Sequence, residues 1–264
     1  MKYGYLAVEG PHDSAFVGRF LKFYGFSPIR EIDGIKGTLF EELTIISYPV
    51  DGDLYKRIPV PTFYKNKDEM LIAVSCANSD DQLVNDITEM IESLLPENMK
   101  GIEEFAGIGI IADMDSPTSA EDRFDKFAAG FETLKIPRPN IAGKVTEGSP
   151  NTGIFILPDN STEGTLEDIL ILCAEKAYPS ILTPASELVE TLNLNTKDFN
   201  KDDRKEFKKP AGKKKATINI ISSILKPGKA IQVSIQDNRW ICEKTRKIPQ
   251  VSAFDQFIKN LFTL

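Results

Sequence analysis

The chain has 264 residues, 41% hydrophobic and 27% charged, which suits an ordinary globular protein able to bury a full core. No window approaches the roughly 20 uninterrupted apolar residues of a membrane span, and the opening MKYGYLAVEG has no basic-then-apolar leader, so a cytoplasmic protein without membrane contact is expected. With 32 basic and 39 acidic side chains the net charge is −7, which argues against a coat protein held on nucleic acid by charge alone.

Taken in chain order, Tyr3 to Val8 is a short β-prone run that reads as a buried strand. The chain turns at Gly10 and Pro11, and Phe16, Phe20, Phe23 and Tyr24 then recur at helical spacing behind Pro11 and Asp13, residues suited to a helix entry. Leu43–Val50 and Leu71–Ala77 read as further strands, the second leading into a helix from Ser79 to Leu95. Gly107–Asp115 is another apolar strand, ending in acids, after which Ser119 and Asp122 can cap a helix with Phe124, Phe127 and Phe131 on its apolar side. Thr152–Asn160 is the next strand and Thr165–Tyr178 the next helix. Continuous apolar strands alternating with helices predict an α/β sandwich on a largely parallel sheet.

Further on, Lys201–Lys215 opposes the global charge with eight basic and three acidic residues. A helix is expected from Ala216 to Leu225, and Phe254, Phe257, Ile258, Leu261 and Phe262 make an amphipathic helix that docks on the core. We read residues 1–264 as a single domain with a C-terminal helical extension over 184–264.

Ligands of open parallel sheets bind beyond the carboxyl ends of the strands, so acids standing there are placed for chemistry by the fold. Glu9 ends the first strand, with Asp13 four residues on; Asp113 and Asp115 end the GIGIIA strand on one face; Glu167 and Asp168 open the helix after TGIFILPDN. Oxygen-only sites of several carboxylates suit magnesium or manganese. A single histidine, His12, excludes a histidine-rich zinc or iron site by count, and its position suggests a solvent-exposed turn. Cys76, Cys173 and Cys242 are too widely separated for a zinc or disulfide framework and read as incidental thiols.

These motifs, LAVEGPHD and IIADMD, resemble the Toprim fold shared by topoisomerases, primases, recombination-repair proteins and overcoming-lysogenization-defect nucleases, whose marks are a strand-end glutamate and a later DxD. The spacing of Glu9 and Asp13, with the later LED at Glu167, is similar to the last subgroup, and GIFILPDN through GTLEDIL also looks like an uncharacterised bacterial Toprim-related family. The interval before Asp113 is longer than in a compact Toprim core, which implies an insertion over 29–70. The resemblance implies a Toprim-like, Rossmann-type sandwich and two ions of magnesium or manganese, held by Glu9, Asp13, Asp113, Asp115 and Glu167. It also implies a catalytic lysine, for which Lys215 is the candidate, and an ABC-type ATPase encoded separately, as in anti-phage systems, since the chain has no GxxxxGK[ST] loop.

The expected activity is metal-dependent cleavage of phosphodiester bonds in DNA or RNA. Glu9, Asp113, Asp115 and Lys215 would be the catalytic residues, with water as nucleophile, and Lys208, Lys209, Lys213 and Lys214 would line a nucleic-acid path. Two alternatives stand beside it. One is a Toprim module that binds nucleic acid or a partner without cutting. The other is a haloacid-dehalogenase-like phosphatase, suggested by DMDSPT at Asp113–Thr118, although Pro117 stands where that loop has Thr or Val. Self-association is left open.

Overall fold

The computed structural model describes residues 1–44, 60–95, 99–114 and 119–264. Its strands are β1 (Lys2–Val8), β2 (Ser27–Pro28), β3 (Thr62–Lys65), β4 (Met70–Cys76), β5 (Phe105–Asp113), β6 (Val145–Thr146) and β7 (Asn151–Leu157). The helices are α1 (Pro11–Phe23), α2 (Leu83–Leu94), α3 (Ala120–Thr133), α4 (Leu166–Ala177), α5 (Pro179–Thr191), α6 (Lys201–Phe207), α7 (Gly212–Leu225), α8 (Ile231–Asp237) and α9 (Pro249–Phe262).

The described strands form one sheet in the order β2-β3-β4-β1-β5-β7-β6. The central four, β4, β1, β5 and β7, run parallel, and the short outer strands β3, β2 and β6 pair antiparallel. The α/β sandwich with a largely parallel sheet is therefore observed. Both faces of the central strands are covered, which explains their unbroken apolar character. Leu6, Val8, Ile72, Val74, Ile111, Phe155 and Leu157 point into a core with α1, α4 and α9. Their alternates Tyr5, Ala7, Leu71, Ala73, Ile110, Ala112 and Ile156 point into a second core with α2 and α3.

Helix α9 lies directly on the sheet. Phe254 packs its ring 4.8 Å from that of Phe16 and 5.1 Å from that of Phe155. A Cβ on Gly153 would sit 2.7 Å from the ring of Phe257, so the absence of a side chain in β7 admits the helix.

Several boundaries differ from the sequence expectation. Of the strand expected at Leu43–Val50, Leu43 and Thr44 belong to a 3-10 turn and the remainder lies outside the described residues. Within 29–70, Ile35 and Phe40 join the second core and Thr62–Lys65 adds β3 to the sheet. Helix α7 begins at Gly212, ahead of the expected Ala216, which brings Lys213, Lys214 and Lys215 into its first turn. The helical C-terminal part starts at Pro179, with Pro184 inside α5. No helix among the described residues is long and apolar enough to cross a membrane.

Candidate functional site

The parallel register sets Val8 beside both Cys76 and Ile111, and Asp113 beside Leu157, so the carboxyl ends of β1, β4, β5 and β7 open on one side. Glu9 follows β1 immediately. Its Oε1 accepts the backbone N–H of Asp113 at 2.9 Å, which ties the end of β1 to the end of β5. Asp13 stands in the first turn of α1, where its Oδ2 accepts the N–H of Gly10 at 2.9 Å in a capping arrangement. Asp113 Oδ1 accepts the N–H of Leu166 at 2.8 Å, so the end of β5 caps the start of α4. Glu167, buried in the first turn of α4, takes the hydroxyl of Thr165 at 2.8 Å on Oε2.

The loops are stitched together to hold this arrangement. Met114 exchanges backbone hydrogen bonds with Gly164, at 3.0 and 3.3 Å, which binds the segment after β5 to the turn before α4. Gly164 has φ 156°, and a Cβ there would meet the Asp168 carboxylate at 2.7 Å. Only glycine suits that turn.

The charges of these acids bear on Asp13 and Asp113. Burial raises the pKa of Asp13 to about 7, helped by the charges of Glu9 and Glu167. Burial likewise holds Asp113 well above the ordinary carboxylate range, with Asp13, Glu9 and Glu167 all adding to the shift. His12 is not in a turn, as its sequence position suggests, but in the first helical turn of α1, partly exposed, with Nδ1 4.0 Å from Glu167 Oε1. Burial lowers its pKa, Glu167 opposes this, and Lys215 adds to the lowering, so Lys215 lies within electrostatic reach of the same mouth.

Sequence reasoning missed Arg123. It is buried on α3, where Nη2 meets Glu9 Oε1 at 3.1 Å and Nη1 meets Asp80 Oδ2 at 3.4 Å, while its Nε is buried without a hydrogen-bond partner. A signal existed. Arg123 interrupts the apolar stripe of Ala120, Phe124 and Phe127, and a cation on a core-facing stripe needs a buried partner.

The structure thus gathers Glu9, Asp13, Asp113 and Glu167, and Asp115 lies outside the described residues. Among the described residues, no three acidic, histidine or cysteine side chains converge tightly enough, as placed, to grip one ion. The carboxylates instead turn toward nearby amides, a hydroxyl and Arg123. The donor set still fits a hard dication: of these four carboxylates Asp13 and Asp113 resist ionisation, and positive charge placed beside them would offset that.

The basic segment divides. Lys214 Nζ pairs with Asp168 at 2.6 Å and Lys209 with Glu206 at 2.6 Å, Lys213 pairs with Glu190, and Lys208 is exposed at the C-cap of α6. Between the turn at Gly164 and the α6–α7 elbow lies a cleft of about 790 Å³, with Met114 and Thr165 on one wall and Phe207, Lys214 and Lys215 on the other.

A family model described as "Protein of unknown function (DUF3226)" matches residues 3–263. Among solved structures, a hypothetical protein from Pyrococcus horikoshii OT3 is similar in fold, at 14% identity and a TM-score of 0.52, over 99% of this chain and 95% of that one. No curated protein matches the chain.

Proposed function

The chain belongs to the family described as Protein of unknown function (DUF3226), and for it we propose a metal-dependent nuclease that hydrolyses phosphodiester bonds in DNA or RNA. The observation that carries this reading is the meeting of Glu9, Asp13, Asp113 and Glu167 at the carboxyl ends of parallel strands, where the ionisation of Asp13 and Asp113 is resisted. These four would hold magnesium or manganese, and Asp115 is added from its sequence position. A dication bound there would polarise the scissile phosphate and help generate hydroxide from water.

The chain's own residues then have distinct tasks. Arg123 fixes the Glu9 carboxylate through Nη2, and the Asp113 amide holds the same oxygen, so Glu9 is oriented before substrate arrives. Lys215, at the mouth of the cleft, would stabilise charge developing on the phosphate. Lys208, Lys209, Lys213 and Lys214 would track the flanking backbone, and an ATPase encoded separately, as in anti-phage systems, would supply control. A second reading, a module that binds nucleic acid without cutting it, is favoured by the carboxylates' failure, as placed, to converge on one point.

Glu9→Gln separates the two readings, because it keeps the side chain's shape and removes charge that would offset a dication. It should abolish manganese-dependent cleavage by the chain, assayed alone and with its ATPase, whereas Lys215→Ala should slow cleavage by on the order of 10²-fold to 10³-fold and leave metal binding intact. Full cleavage by Glu9→Gln would place the chemistry elsewhere.

A further inference from the structure

Phe207 is a large apolar side chain that neither core absorbs. It ends α6 half-buried, and it is absent from both hydrophobic clusters and from the partly buried residues packed against them, among the described residues. It lines instead the cleft of about 790 Å³ whose opposite wall carries Met114 and Thr165. Those two residues flank the carboxylates directly, since Met114 follows Asp113 and Thr165 precedes the helix that bears Glu167.

We propose that this cleft seats one unpaired nucleotide, its base stacked on Phe207 and its phosphate directed to the carboxylates at the strand ends. The assignment rests on the nuclease reading and narrows its substrate to single-stranded or unpaired nucleic acid. The physical argument is about which surface of a base is available. In a duplex each base face is covered by its neighbours, so a side chain at the wall of a cleft can stack only on a base that has left the helix. Stacking on an aromatic ring tolerates any base, because each has a π-face.

The charge of the lining sets the share that stacking must carry. The cleft lining carries Lys209, Lys214 and Lys215 against Glu163, Asp203 and Glu206, a balance of three and three. A balanced lining does not grip a polyanion by counterion release alone, so stacking must contribute a large share of the affinity. The elbow that presents the ring is fixed: Gly212 N–H donates to Lys209 O at 2.8 Å, and Lys215 N–H to Ala211 O at 2.9 Å.

The test uses the full chain with calcium, a hard dication that accepts the same oxygen ligands. Fluorescence anisotropy would measure binding of a labelled oligothymidylate and of a duplex of equal length to wild type, Phe207→Leu and Phe207→Trp. Leucine keeps apolar bulk without a π-face, and matched thermal midpoints for the variants establish that they fold alike. The expected result is preference for the single strand, lost by about tenfold or more in Phe207→Leu and retained in Phe207→Trp, with duplex binding unchanged. Equal single-strand binding by Phe207→Leu and wild type, equal affinity for duplex and single strand, or no binding of either would each overturn the assignment. The two readings fail separately. Phe207-dependent binding without magnesium-dependent cleavage removes the nuclease and keeps the cleft, and cleavage indifferent to Phe207 does the reverse.

Discussion

Two sets of partly or fully buried carboxylates lie within a few residues of each other along the sheet, and their surroundings are opposite in kind. Asp86, on α2, points at the sheet and accepts the hydroxyls of Tyr5 and Ser75, each at 2.7 Å. Its pKa is raised by burial, and the two hydroxyl hydrogen bonds oppose that rise. At the strand ends, Glu9, Asp13, Asp113 and Glu167 crowd one another, and the buried Arg123 meets one of them, Glu9. A raised carboxylate pKa therefore does not by itself mark a site. One acid with two donors is a satisfied element of the core, whereas Asp13 and Asp113, raised by burial and by the acids around them, would gain from added positive charge.

The comparison can be broken most sharply at Arg123. Arg123→Met leaves Glu9 and Asp80 without their buried partner and should destabilise the chain by about 3 kcal/mol in urea titrations with EDTA, with magnesium restoring part of the loss. Magnesium without effect on this variant would mean that the acids at the strand ends do not share a cation. Asp86→Ala should destabilise by about 1–3 kcal/mol, because two buried hydroxyls lose their acceptor, and magnesium should restore nothing. The sign of its pH dependence follows from the direction of the shift. Asp86 has a folded pKa above its unfolded value of about 4, so its contribution is full below that value and is lost as pH rises through the raised pKa. Unfolding free energies of Asp86→Asn should lack this decline, and an identical slope in variant and wild type would assign it to other groups. The smallest effect is expected from replacing Lys208, Lys209, Lys213 and Lys214 with Gln. Because Lys209, Lys213 and Lys214 already face acids, the salt dependence of oligonucleotide binding should flatten by less than four full phosphate contacts, at about 0.7 per contact for a single strand. An unchanged slope would make the segment a solvated surface.

Much of this was legible in residue order. The strands at Tyr3–Val8, Leu71–Ala77, Gly107–Asp115 and Thr152–Asn160 were visible because both faces are buried, which leaves runs of apolar residues with nothing polar between them. Glu9 and Asp113 were visible because they end those runs, and Asp13 and Glu167 because they open the helices that follow strands. The early start of α7 was not, since Gly212 and three lysines have no apolar periodicity and the turn is set by hydrogen bonds at the elbow. Nor was Arg123, whose partner Glu9 lies more than a hundred residues away in the chain and meets it only through the pairing of β1 with β5. Nor was Phe207 singled out, since one aromatic among charged residues has no periodicity to place it, and only the structure shows that it joins neither core.

The position of α9 also bears on how the sheet is closed during folding. Gly4, in the first strand, approaches the ring of Phe262, in the last helix, so the earliest and latest parts of the chain share one interface. During synthesis β1, β5 and β7 must wait with one apolar face open until residues 249–262 arrive, a long-range closure of the sort that slows folding and leaves sticky intermediates. Glu9 and Asp113 sit at the ends of those same waiting strands. Whatever the acids bind, the strands that carry them share a core with a helix from far along the chain, so their placement depends on that long-range closure.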